Sequence, residues 1–140
     1  MIFGIGCDLC AIDRMEKSLT GPHGAAFERR VFGPEERAAL GLTEEGPLSL
    51  TSHRAASAAA NFAAKEAFLK AAGTGLAEPF SLAEIQAVRQ PSGAPAYQFS
   101  GRTADWVAEH HLIARLTLSH DGGFAMAVCL LEEIETSCIR

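Results

Sequence analysis

The chain has 140 residues, 48% of them hydrophobic and 21% charged, a globular composition sized for one domain with a modest core. A net charge of −5 argues against a nucleic-acid binder that works through a general positive field, and no apolar run is long enough to span a membrane. The start, Met1 to Asp8, lacks the basic segment of a secretory signal, so a cytoplasmic protein is expected.

In chain order, residues 2–7 read as a buried strand closed by Asp8, with Gly4 and Gly6 suggesting close approach of another backbone or a ligand. Ile12, Met15 and Leu19 share one face of a helix over 12–19, for which Asp8 or Asp13 is a plausible cap. After a Thr20–Gly24 loop, Ala25 to Phe32 reads as a short helix, and Pro34-Glu35-Glu36 opens another with proline at its first position. Arg14, Lys17, Arg29, Arg30 and Arg37 fall in this first third, a local basic face that suits an acidic partner or is simply a solvated surface. Gly41 to Pro47 is a loop, and Thr51 or Ser52 caps a long central helix that runs to Ala72.

Within that helix, Phe62, Glu66, Leu69, Lys70 and Gly73 fall along one side. Glu66 and Lys70 are either a surface pair worth about 0.2–0.5 kcal/mol or a metal carboxylate beside a phosphate-facing lysine. Ser81 to Glu84 has the form of a capping box, followed by a hairpin of strands 85–89 and 96–100 about a 91–95 turn. Residues 102–110 are helical, anchored by Trp106, and Leu112 to Ser119 alternates as a half-buried strand. His120-Asp121-Gly122-Gly123 turns into a last strand, 124–131, buried on both faces. The C-x-x-C spacing of Cys7 and Cys10 raises redox or zinc chemistry, but Cys129 and Cys138 form no second pair of that kind. All four read better as small buried hydrophobes. The pattern predicts a single-domain α+β fold over 1–140, an antiparallel sheet with a long central helix and short helices packed on it.

Three segments stand out together: Gly4-Ile5-Gly6-Cys7-Asp8, Phe62-Ala63-Ala64-Lys65-Glu66-Ala67 with Lys70 and Gly73-Thr74-Gly75, and Leu118-Ser119-His120 with Phe124-Ala125-Met126-Ala127. Their order and spacing resemble the holo-[acyl-carrier-protein] synthase family, the short type of 4′-phosphopantetheinyl transferase, over essentially the whole chain. The resemblance implies transfer of phosphopantetheine from coenzyme A to a serine of apo acyl carrier protein in fatty acid biosynthesis, releasing 3′,5′-ADP. It implies magnesium on Asp8 and Glu66, Lys70 facing the pyrophosphate, Gly73 allowing the donor to approach, and His120 contacting coenzyme A. Magnesium suits one or two protein carboxylates, with waters and substrate phosphates as its other ligands. Glu66 or a water beside Asp8 would take the serine proton. Arg14 and Arg30, with Met15 and Phe27, match positions that dock the carrier, and the family forms homotrimers with sites between subunits.

Two positions depart from the family pattern: Asn61, usually arginine, and Ala94, usually a basic turn residue. Both remove cations near a polyanionic donor, which implies either a lower affinity for coenzyme A or compensation by Arg54 or Arg102. Two rivals use the same residues. One is a magnesium-dependent phosphohydrolase with water as acceptor. The other is a trimeric, non-catalytic carrier-binding module.

Overall fold

The computed structural model describes residues 1–43, 46–47 and 50–135. Among these, strand β1 (Ile2–Ala11) leads into helices α1 (Ile12–Thr20), α2 (Gly24–Val31) and α3 (Pro34–Leu40). A two-residue ribbon, β2 (Leu42–Thr43) with β3 (Gly46–Pro47), precedes helix α4 (Ser52–Ala72). The hairpin β4 (Ile85–Arg89) and β5 (Pro95–Phe99), helix α5 (Gly101–Glu109) and the hairpin β6 (Leu112–Asp121) and β7 (Phe124–Glu133) complete the chain. Every strand pairing is antiparallel, and the main sheet has the order β1-β7-β6, so the expected α+β architecture is what forms.

Alanine makes up much of α4 and sets its packing. Thr51 caps it by accepting a hydrogen bond from Arg54 N, and Gly73 ends it in the left-handed region at φ 82°. With side chains this small, α4 buries nearly its whole circumference, and β1 lies directly on it. A Cβ on Gly4 would sit 1.9 Å from the Ala71 carbonyl oxygen, and one on Gly6 would sit 2.1 Å from that of Ala67. The two glycines are therefore the price of bringing a strand backbone against a helix backbone. Phe68 sits at the centre of an aromatic cluster with Phe80, Tyr97, Phe99 and Trp106, which closes the other side of the helix.

Several local expectations change. Asp8 does not end β1: the ladder to β7 continues through Cys10 opposite Ala125 and Ala11 opposite Phe124. Nor does Asp8 cap α1, whose N-cap is Ala11 with no side-chain bond. Residues 42–43 and 46–47 pair where a plain loop was expected. His120 and Asp121 belong to β6, leaving Gly122 and Gly123, both at positive φ, as the two-residue turn. Ser81 makes no cap. Glu84 instead accepts from the Thr103 hydroxyl. Strand β7 is buried on one face only: Ala125, Ala127, Cys129 and Leu131 face α4, while Phe124 and Met126 are exposed. The rule of apolar content implying two covered faces fails because the second face of this sheet has no covering layer among the described residues. Cys10 and Cys129 are buried as expected, Cys7 is exposed on the opposite face, and Cys138 lies outside the described residues.

Candidate active site

The contact of β1 with α4 is what assembles the site. Gly6 lies against Ala67 and Lys70, so the next residue on the same face, Asp8, reaches the side of α4 that carries Glu66 and Lys70. Lys70 Nζ donates to Asp8 Oδ1 and to the Cys7 carbonyl, each at 3.0 Å. The Lys70 side chain keeps 56% of its surface exposed, so it stands at the mouth of the site rather than within the core. Its hydrogen bond to Asp8 raises its pKa. Glu66 is partly buried, and that burial, with the negative charge of Asp8, pushes its carboxyl above the ordinary range against the pull of Lys70.

Two carboxylates thus converge with one ammonium between solvent and sheet, and their negative charge is only partly answered. That donor chemistry fits a hard divalent cation, whose needs one or two carboxylates plus outside oxygens can meet. Among the described residues, no group of three or more His, Cys, Asp and Glu side chains is placed to hold a metal. Beyond Lys70, Gly73 and Gly75 both take positive φ with open space where a Cβ would be, leaving the end of α4 uncovered.

Behind the site sits a second, buried polar cluster that sequence reasoning did not assign. Lys65 is fully buried and donates to Glu36, to the Leu82 carbonyl at 3.0 Å and to the Ile85 carbonyl at 2.7 Å. Glu36 also accepts from Gly33 N, Ala87 N and Asn61 Nδ2. Burial drives Lys65 down and Glu36 up in pKa, opposed by their mutual attraction. The cluster ties α3, α4 and β4 together and fixes the rotation of α4, on which the directions of Glu66 and Lys70 depend. A lysine embedded in an alanine run was the available signal, since no exposed-face pattern explains it.

His120 stands apart from Asp8 and Glu66, in a pocket with His53, Ser57, Arg89 and Ser119. Asn61 is 8% exposed, its amide donating to Glu36 and to the Ala87 carbonyl. Arg102 pairs with Glu78, and the Arg54 guanidinium packs beside Gly41, so neither lines the His120 pocket. Of the carrier-docking candidates, Arg14 and Arg30 are exposed and Phe27 is partly so. Phe27 and Arg30 line a groove with Ser18, His23 and Ala26. Met15 does not join them. It is 3% exposed and packs inward, because it shares the face of α1 that Leu19 buries.

A family model described as the 4′-phosphopantetheinyl transferase superfamily matches residues 4–129. The chain belongs to that superfamily. It is 39% identical over 140 residues to the holo-[acyl-carrier-protein] synthase of Sphingopyxis alaskensis, covering 96% of this chain and 99% of that protein. It is 36% identical over 136 residues to that of Leptothrix cholodnii, covering 94% and 97%. Its fold matches the crystal structure of the Bacillus anthracis holo-(acyl-carrier-protein) synthase in complex with CoA (3′,5′-ADP), with a TM-score of 0.75 and 32% identity over 96% of this chain and 99% of that one. The superfamily match spans all three segments that converge on α4, from Gly4 to Cys129.

Proposed function

We infer that this protein is a holo-[acyl-carrier-protein] synthase: it transfers 4′-phosphopantetheine from coenzyme A to a serine of apo acyl carrier protein and releases 3′,5′-ADP. Sequence identity to such synthases across nearly the full length supports the activity. The observation that carries the site assignment is the meeting of Asp8, Glu66 and Lys70 at one solvent-facing edge. The serine oxygen attacks the β-phosphorus, and the bond from that phosphorus to the bridging oxygen breaks, leaving 3′,5′-ADP. Lys70, half exposed and positive, faces the diphosphate and offsets charge that builds on the bridging oxygen. Glu66 or a water held beside Asp8 accepts the serine proton. Asp8 and Glu66 would hold magnesium, which neutralises the diphosphate when bound.

The acidic carrier docks on the exposed Arg14 and Arg30 and on the groove edged by Phe27, so only a local patch has to be positive. Met15 supports α1 from within and is not part of that surface. Three copies of the chain assemble through the sheet face away from α4, where Ile5, Leu9, Ile113, Phe124 and Met126 are exposed. The geometry supports sites shared between copies: His120, the residue the resemblance assigns to coenzyme A, shares its pocket with His53, which lies about 20 Å along the α4 axis from Glu66. No helix among the described residues is long and apolar enough to cross a membrane, and a cytoplasmic place in fatty acid biosynthesis fits the acyl-carrier substrate.

Apo acyl carrier protein incubated with enzyme, coenzyme A and magnesium should gain the mass of one phosphopantetheine group. Coenzyme A cleavage with no change in carrier mass would instead favour a hydrolase, and carrier binding without either product a non-catalytic module.

A further inference from the structure

Helix α2 seats on the core through one face, made by Gly24, Glu28 and Val31. Those positions recur at helical spacing, so Glu28 occupies the middle of the buried stripe, where an apolar side chain would be expected. It is 1% exposed, and neither carboxylate oxygen has a hydrogen-bond partner among the described residues. Little else holds the seat. Gly24 contributes no side chain, and the N-cap, His23, makes no side-chain bond to the helix. Away from the core, α2 exposes Arg29 and Arg30, and Phe27 and Arg30 edge the groove that Ser18, His23 and Ala26 complete.

The charges around Glu28 do not satisfy it. Burial pushes its carboxyl up in pKa, against the attraction of Arg37 in α3 and Arg29 in α2. Among the described residues neither arginine forms an ion pair with it, and Arg37 Nε is itself buried without a partner. Helix α1 and the helical turn Leu82–Glu84 also pack on α2. The charged residues of α1, Asp13, Arg14, Glu16 and Lys17, are all exposed, and Glu84 is engaged with the Thr103 hydroxyl. The seat therefore suits a protonated carboxyl better than a carboxylate, whose lost hydration nothing replaces.

We propose that Glu28 is a proton-operated latch on α2: the seated helix holds a protonated carboxyl, and ionisation releases the helix toward solvent. Phe27 and Arg30 ride on the released element, so the hold on the carrier weakens as pH rises. That consequence rests on the reading that the carrier docks on α2. Only the seated fraction is competent to dock, and the carrier KM rises as the reciprocal of that fraction. Glu28 is no part of the Asp8, Glu66 and Lys70 site, so kcat at saturating carrier and KM for coenzyme A should stay level.

The test measures carrier KM from about pH 5.5 to 8 for the full-length wild type, Glu28→Gln and Glu28→Leu, with amide hydrogen exchange of α2 on the same samples. Each exchange rate is referred to the intrinsic rate at its pH. Across that range α2 protection in the wild type should fall about 3-fold relative to both variants, and carrier KM should rise by the same factor at constant kcat. His23 in the groove also changes charge with pH, but the variants share it, so the readout is the difference between wild type and variant. Glu28→Leu completes the apolar stripe and gives a second reading, independent of how the Gln amide is accommodated. A wild type whose α2 protection tracks that of both variants at every pH would overturn the latch. A fall in protection confined to the wild type, with carrier KM unmoved, would uphold the latch and sink the docking of the carrier on α2.

Discussion

Helix α4 carries two lysines little more than one turn apart, and their fates are opposite. Lys65 points into the molecule, fully buried against Glu36 and two carbonyls. Lys70 points to the rim, 56% exposed and leaning on Asp8. Both are bound to carboxylates, yet one pair holds elements together while the other stands where a charged ligand can reach it. The difference lies in what replaces water. Around Lys65 the protein supplies every acceptor, so the charge is locked; around Lys70 solvent remains, so the charge is available.

The contrast breaks most sharply if the buried lysine is neutralised. Lys65→Met leaves Glu36 buried and unpaired, and urea denaturation should show a loss of about 3–5 kcal/mol. Lys70→Met should leave stability nearly unchanged, since a solvent-screened pair contributes little, while transfer to the carrier falls by about 100-fold. If the two substitutions gave the same stability loss, the division of labour would be wrong. Gly6→Ala sharpens the comparison from the strand side. A methyl group aimed at the Ala67 carbonyl has no flexible neighbour to displace, so a loss of about 1–3 kcal/mol is expected. Activity should fall with it, because Asp8 moves with β1.

The smallest effect concerns Glu28, 1% exposed in α2, whose carboxylate oxygens have no hydrogen-bond partner among the described residues. Burial raises its pKa, with Arg37 and Arg29 opposing. The folded state therefore keeps a proton that the unfolded chain has already released. Stability should fall as pH rises from the ordinary glutamate range through the raised value. Glu28→Gln should flatten that part of the pH–stability curve, with a change below about 1 kcal/mol at neutral pH. A slope unchanged by the substitution would assign the pH response to other groups.

Much of this arrangement was legible in the sequence. Gly4 and Gly6 announced a close backbone approach, the alanine run announced α4, and the resemblance singled out Asp8, Glu66, Lys70 and His120. What stayed hidden depended on partners remote in the chain. Asp8 read as a strand end because its ladder partner, Ala127, lies on the last strand. Met15 was assigned to docking by the resemblance, although its own helical spacing with Ile12 and Leu19 put it on the apolar face that the fold buries. Asn61 read only as a lost cation, since nothing local shows that its amide meets Glu36 and Ala87. Arg89 and His53 carried no motif at all, and only folding places them beside His120.

The most direct test is Glu66→Gln, assayed by carrier mass at saturating coenzyme A and magnesium, with the melting temperature measured on the same sample. The substitution removes one charge of the Asp8–Glu66 pair and relieves their repulsion, so the melting temperature should hold or rise while kcat falls by about 100-fold or more. A variant that still modifies the carrier within a few-fold of the wild-type rate would show that the reaction does not run through this pair of carboxylates.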